Sequence, residues 1–343
     1  MRRSTGHLFL LLFVLLLGVR IVSICMHPAS LSFRILPNLW VLMVLVGLAR
    51  SGRRLLSSQP SNSRRRWPGA LLFTAGLATT GFIGVVAWVD YSLGQRDNVG
   101  VYDDPYKVWA ARGLVVEGPR ITKSGTQNSI ESIRLAFDRG AKGVEVDAYF
   151  DTALNQYVVS HDRPYNLKKG VVLTLGALLE AVGDDGQFWL DLKKLRHLDR
   201  AQLAAAVAEL ETLTAKGDLK GRFYVEGEDP VNLHAFHRAG FLTIYDTHPL
   251  KDSNPWTPLA SDLYKLVYYF GGHTVMGMNS GEPGALIYGP EACRALRNVP
   301  VFIYHTPDNS DRLEELLAAP DVRVILVVDQ SLDRYGLHGP AGE

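Results

Sequence analysis

Gly143-Val144-Glu145-Val146-Asp147-Ala148-Tyr149 alternates apolar and acidic side chains at its centre, with the period of two that belongs to a β-strand. Side chains two apart share one face, so Glu145 and Asp147 point together and the valines point the other way. Two carboxylates that close repel and raise each other's pKa unless a cation neutralises them. An oxygen-only donor set suits a hard divalent ion, Ca²⁺ or Mg²⁺, and the pair reads as metal ligands. The competing reading is a pair of solvated strand-end acids.

Outward from this run, short apolar stretches alternate with amphipathic ones. Strands are expected at 107–111, 143–149, 157–160, 188–192, 222–226, 242–245, 274–278, 301–304 and 323–328. Helices are expected at 129–139, 174–181, 200–215, 230–239, 290–297 and 311–318. Repeated strand and helix over this length implies parallel strands with crossover helices, an α/β chain folded as a (β/α)₈ TIM barrel. Nine strands are one more than the barrel needs, so one belongs to a hairpin or is false. An open doubly wound sheet stays available, although no glycine-rich dinucleotide loop follows the first strand. In a barrel, the valines of 143–149 face the helices and the acids face the mouth at the strand's C-terminal end, where sites in this architecture sit.

The next strands repeat the device. The run 157–160 ends in His161 and Asp162, and 188–192 carries Asp191 with Lys193 two residues on. Asp191 can complete a carboxylate set with Glu145 and Asp147. Lys193 can offer charge to an anionic phosphate, and His161 is a residue type suited to donate a proton to a leaving alkoxide. Plainer readings suit the other features. Gly271 and Gly272, with Gly281, read as turns, and His197, His234, His237 and His248 follow no metal spacing. Tyr264, Tyr268, Tyr269 and Phe270 read as packing against the barrel, and residues 336–343 as a disordered tail.

The chain has 343 residues, of which 47% are hydrophobic and 21% charged, and a net charge of +1. Near-neutrality gives no field for nucleic acid, and none is expected as a partner. Cys25 and Cys293 stand too far apart in sequence to suggest a disulfide framework. Residues 1–95 are of a different kind from the rest. The runs 8–24, 35–49 and 67–89 are apolar enough to suggest about three transmembrane helices, since a crossing takes about 20 apolar residues. Arg50, Arg53, Arg54, Arg64, Arg65 and Arg66 fall between the second and third runs, and such clusters stay cytoplasmic. The expectation is a multi-pass anchor in the cell (inner) membrane, with the catalytic domain, 98–335, on the periplasmic or extracellular side. A cleaved signal at 8–24 would change the span count and not the side.

The motifs also carry a resemblance. Val108-Trp109-Ala110-Ala111-Arg112-Gly113, then Gln127-Asn128-Ser129, then Gly143 to Asp147, then Val158-Val159-Ser160-His161-Asp162 resemble, in order and spacing, the glycerophosphodiester phosphodiesterase family. That family reads His-Arg-Gly on its first strand, Glu-Asn-Thr entering the first helix, Glu-x-Asp on the second strand and His-Asp after the third. Thr174, Leu175, Leu178 and Leu179 are similar to its Thr-Leu helix. Asp191-Leu192-Lys193 is similar to its Glu-Ile-Lys strand, with Asp for Glu. The likeness is specific from Trp109 to Lys193 and architectural beyond, ending at Asp329.

The resemblance implies a metal-dependent phosphodiester hydrolase. It makes Glu145, Asp147 and Asp191 ligands of the divalent cation, Arg112 and Lys193 contacts of the substrate phosphate, and His161 with Lys193 the catalytic residues. The implied substrate is a glycerophosphodiester or a phospholipid-derived phosphodiester at the outer membrane face. One departure is serious: Ala111 stands where the family has its first histidine, and loss of a general acid or base costs roughly 10²- to 10⁴-fold in rate. Either another group substitutes, with Glu117, Glu226 and His305 as candidates, or the domain binds phosphodiesters or lipid without turning them over. A third option is that the metal, Lys193 and His161 suffice.

Overall fold

The computed structural model describes residues 67–98, 100–114, 127–168, 170–183, 186–306 and 310–327. The described chain falls into two compact units, one drawing on 97–252, 263–289 and 299 onward, the other on residues up to 96, 253–262 and 290–298. In chain order the elements are helix α1 (Trp67–Gly94), strand β1 (Val108–Ala111), α2 (Ile130–Asp138), β2 (Gly143–Asp151), β3 (Gln156–Val159), β4 (Leu167–Lys168), β5 (Val171–Val172), α3 (Leu175–Val182) and β6 (Gln187–Leu192). There follow α4 (Arg200–Thr214), β7 (Phe223–Gly227), α5 (Pro230–Arg238), β8 (Leu242–Thr247), α6 (Thr257–Gly271), β9 (Val275–Asn279), β10 (Gly281–Glu282), β11 (Ala285–Leu286), α7 (Pro290–Ala295), β12 (Val301–Tyr304), α8 (Ser310–Ala318) and β13 (Val322–Val327).

Eight parallel strands close on themselves. The sheet runs β1-β13-β12-β9-β8-β7-β6-β2, and β1 pairs back onto β2, which closes the barrel. The ninth expected strand, 157–160, is the hairpin: β3 runs antiparallel to β2, with Ala148 opposite Val159. The expected helices are present. The structure adds α6, whose aromatic residues Tyr264 to Phe270 read in the sequence only as a packing pattern.

Local chemistry explains the helix starts. Ser129 caps α2 by accepting from the Ser132 N–H, and the Ser132 hydroxyl answers by accepting the Ser129 N–H. Asp199 and Gln202 form the same reciprocal box on α4, while Asp229 caps α5 with Pro230 at its first position. Each pairing satisfies N–H groups that the helix itself leaves orphaned.

The barrel interior is aromatic. Trp109, Trp189, Tyr224, Ile244, Val275, Phe302, Val324 and Leu326 form its buried cluster, and Trp109 meets Tyr224 and Phe302 edge-on at 6.0 and 5.6 Å between ring centroids. Outside, Val144, Val146 and Ala148 are wholly buried, as are Ile133 and Ala136 of α2. The space for the indole of Trp109 comes from Gly143, where an added Cβ would sit 2.3 Å from the ring.

Of the three expected membrane spans, 8–24 and 35–49 lie outside the described residues, as do the tail 336–343, Glu117, Asp329 and Cys25. The third, 67–89, falls within α1. Among the described residues no helix is long and apolar enough to cross a membrane.

Because the Trp109 ring fills the place of a Gly143 side chain, Gly143→Ala is expected to destabilise the fold by about 1–3 kcal/mol through overpacking. Urea denaturation followed by tryptophan fluorescence checks this.

Candidate metal and phosphate site

Strand register assembles the acids. Asp147 of β2 pairs with Asp191 of β6, and Asp191 pairs with Glu226 of β7, so three carboxylates stand side by side on consecutive strands. One pleat toward the strands' N-terminal ends, Ala111, Glu145, Trp189 and Tyr224 form the next row. The acids therefore sit directly above the aromatic interior. Glu145, Asp191 and Glu226 line one wall of a cleft of about 530 Å³, which Ala111, Arg112, His161, Lys193, Asp246 and His305 also line, and Asp147 is buried behind it.

Glu145, Asp147 and Asp191 are brought together: one carboxylate oxygen from each lies within 4.8 Å of the others. Two cations sit against them. Lys193 Nζ is 2.7 Å from Asp147 Oδ1 and also contacts Asp191 Oδ2. Arg112 Nε is 2.9 Å from Asp147 Oδ2 and 4.0 Å from Glu145 Oε2. Asn128 clamps the same acid from both ends, its Nδ2 donating to Asp147 Oδ2 at 2.8 Å and its Oδ1 accepting the Asp147 N–H at 3.1 Å. Asp147 is thus the hub, fully buried and contacted from three directions.

The electrostatics follow from this packing. Burial pushes Glu145 well above the carboxylate range, helped by Asp147 and opposed by Arg112. Burial also raises Asp191, to about 7, against the pull of Lys193. Burial acts on Asp147 in the same sense, but Lys193, Arg112 and its hydrogen bonds outweigh it and hold this acid low. Burial favours the neutral amine of Lys193, yet Asp191 and Asp147 more than compensate and keep it an ammonium. Two cations thus leave part of the carboxylate charge unbalanced. A hard divalent ion fits that deficit and the all-oxygen donor set, and Glu145, Asp147 and Asp191 are the residues that would hold it.

The loop after β1 needs its unusual backbone. Arg112 and Gly113 both take the left-handed conformation, at φ 60° and 76°. A Cβ on Gly113 would meet the Ser132 carbonyl carbon at 2.6 Å. The turn lets the Leu114 N–H bond Ser132 and the Arg112 carbonyl accept from Asn128, tying the arginine to the helix entry that carries the clamp.

His161 lines the cleft just past β3, and its Nδ1 lies 2.9 Å from Asp162 Oδ1. A carboxylate there places a proton on Nδ1 and leaves Nε2 as the exchanging nitrogen. Tyr149 fixes the segment by donating its hydroxyl to the His161 carbonyl at 3.1 Å. Ala111, the departure from the motif, lines the cleft and pairs with Glu145 in the ladder. Of the candidates to replace the missing histidine, Glu226 and His305 both line the cleft. Glu226 is buried, raised well above the carboxylate range chiefly by that burial, and accepts from Trp189 Nε1 at 2.5 Å.

Sequence reasoning missed the far wall. Asp246 of β8 accepts from the Tyr304 hydroxyl at 2.9 Å, and burial raises it to about 6. With Glu228 and His248 it forms a second group whose ligand atoms lie within 4.8 Å. His248 Nε2 is 3.2 Å from Glu228 Oε1 and 3.6 Å from Asp246 Oδ2. The signal that finds this pair is Asp246-x-His248, the same two-residue spacing that marks Glu145 and Asp147.

Asp191 has a folded pKa above its unfolded value, so its contribution to stability is full below about pH 4 and is lost as pH rises through about 7. Without divalent ions, the melting temperature is expected to fall between pH 5 and pH 8. Asp191→Asn should flatten that fall, and millimolar Ca²⁺ or Mg²⁺ should reverse it at pH 8 in the parent chain. Differential scanning calorimetry across this pH range reads all three.

No family model and no curated protein matches the sequence. Solved structures do resemble it. A glycerophosphodiester phosphodiesterase from Parabacteroides distasonis is 20% identical at a TM-score of 0.48, covering 66% of this chain and 94% of its own. Another from Thermotoga maritima is 17% identical at 0.46, covering 66% and 96%. Both are named for the family whose motifs the sequence resembles. The chain is thus similar to these enzymes in outline, while the barrel itself is established by its strand order and closure.

Proposed function

We propose that the chain is a divalent-cation-dependent phosphodiester hydrolase acting on glycerophosphodiesters or on phosphodiesters derived from phospholipids. The observation that carries this reading is the convergence of Glu145, Asp147 and Asp191 with Lys193 and Arg112 at one end of a parallel barrel. A cleft that pairs clustered carboxylates with two cations is built to hold a metal and a phosphate together. A site without such work gains nothing from burying that much charge.

When bound, the cation supplies Lewis-acid stabilisation of charge on the phosphate and lowers the pKa of a water molecule. The chain's own residues do the rest. Lys193 and Arg112 neutralise phosphate oxygens, Lys193 as a point charge and Arg112 with the N–H groups not spent on Asp147. Asn128 holds Asp147 in orientation. His161, with Asp162 on its Nδ1, passes the proton on Nε2 to the leaving alkoxide oxygen. The aromatic layer below keeps water out of the cleft's base.

A second reading is supported by Ala111. A methyl cannot move a proton, so the cleft could bind a phosphodiester without cleaving it. We further propose that residues 1–95 anchor the chain in the cell membrane with residues 98–335 on the outer side. The support is the apolar runs 8–24 and 35–49 and the arginine cluster between 50 and 66.

The full-length protein incubated with glycerophosphocholine and Ca²⁺ or Mg²⁺ is expected to release glycerol phosphate, and a chelator should stop it. Asp147→Asn should lower turnover by about 10³-fold or more, in line with the loss of a residue central to charge stabilisation. Ala111→His should raise it by roughly 10²-fold if that histidine is the missing part. Binding without turnover in the parent chain, with or without the restored histidine, would sink the hydrolase reading and leave the binding one.

A further inference from the structure

His305 lines the same cleft as Ala111, Arg112, Lys193 and His161. It follows the last residue of β12, two strands from β1 in the barrel order, and its backbone is left-handed at φ 49°. Its Nδ1 lies 3.0 Å from Nδ2 of Asn279, the last residue of β9. The other end of that amide is fixed independently, because Asn279 Oδ1 accepts the Gly281 N–H at 2.8 Å. An N–H donor cannot be met by an NH₂ group, so the amide nitrogen is the atom that faces the histidine. It can only donate, which makes Nδ1 an acceptor and leaves the neutral ring's proton on Nε2. No hydrogen bond reaches Nε2 among the described residues. The Tyr304 ring packs edge-on against the imidazole at 5.1 Å. The charged and titratable groups whose fields reach the ring are Arg112 after β1, Lys193 after β6, His161 after β3 and Glu282 on β10. The ring is exposed at the cleft, and its partial desolvation there together with the two cations favours the neutral form, with Glu282 opposing.

We propose that His305 fills the place vacated at Ala111 as a substrate-binding residue: a neutral imidazole whose Nε2–H donates to a non-bridging phosphate oxygen, without transferring a proton. The inference rests on the phosphodiester reading above and deepens it. Accepting a proton at Nε2 requires the other tautomer, in which Nδ1–H would confront the Asn279 NH₂. Protonating Nδ1 breaks the same hydrogen bond. The Asn279 amide thus selects the neutral form of the ring that donates from Nε2, and proton transfer falls to His161.

Histidine ¹⁵N NMR on the full-length protein reads the tautomer directly, with the His305 signal assigned by its loss in His305→Ala. A neutral Nε2–H form at pH 7 is expected, and an Nδ1–H form or an imidazolium overturns the proposal. Titration with inorganic phosphate in the presence of Mg²⁺ gives the second readout. His305→Ala should weaken phosphate binding about tenfold, the loss of one hydrogen bond to a charged group. His305→Gln, whose amide N–H can reach the same place, should recover most of it. Unchanged phosphate binding in His305→Ala overturns the proposal. So does an equal loss in the Ala and Gln variants together with a missing limb of the pH–rate profile, which would make His305 a proton carrier. Should the parent chain bind phosphate yet fail to turn over glycerophosphocholine, the hydrolase reading falls while the phosphate titration still decides the role of His305.

Discussion

The rest of the site depends on the crowding of Glu145, Asp147 and Asp191 over an aromatic interior. Asp147 and Asp191 stand one row above Trp189 and Tyr224, Glu145 stands in the row of those rings, and each acid feels the others across a few ångströms. In that setting a carboxylate stays ionised only where a cation or donors reach it. Asp147 has all of these and is held low, while Glu145 and Asp191 are raised by the same burial. The difference between chemically similar acids thus comes from what touches them and not from their depth. Lys193 and Arg112 are necessary companions, because removing either would leave buried negative charge without a counterpart.

The aromatic interior has a second role. Gly143 makes room for Trp109, and Trp189 both packs against Phe302 at 5.3 Å and donates from its indole to Glu226. Packing and polar satisfaction meet in this one side chain. The boundary between the apolar lower barrel and the charged cleft is therefore a single residue thick, with Trp189 facing both ways.

Much of this was legible in the primary structure because the signals were local. Glu145 and Asp147 announce themselves by a two-residue period, as do Asp191 and Lys193. The surplus strand resolved as the β2–β3 hairpin, which antiparallel pairing alone could decide. The far wall was not legible in the same way. Asp246 and Tyr304 come from strands well separated in sequence, and only the pairing of both strands with β9 brings their side chains together. His248 has no metal-ligand spacing to the other histidines, although with Asp246 it repeats the strand period used elsewhere in the site. Helix α6 was hidden by its composition, since Tyr264, Tyr268, Tyr269 and Phe270 suit packing on either kind of element. Whether Ala111 has a replacement could not be read from the chain at all, because the answer depends on which nitrogen of His305 faces Asn279.

The lateral row Asp147, Asp191 and Glu226 is set by backbone ladder bonds between β2, β6 and β7, whereas the three histidines of the cleft, His161, His248 and His305, ride on segments beyond the strand ends. The two halves of the site can therefore change at different speeds. Insertions and substitutions in the βα loops can re-aim the imidazoles and reshape the mouth while the anionic array keeps its spacing, since shifting that array means slipping a strand in a closed barrel. A lineage carrying this fold can lose or relocate a proton-handling residue, as the alanine at 111 suggests, and retain the charged platform on which a different solution is assembled.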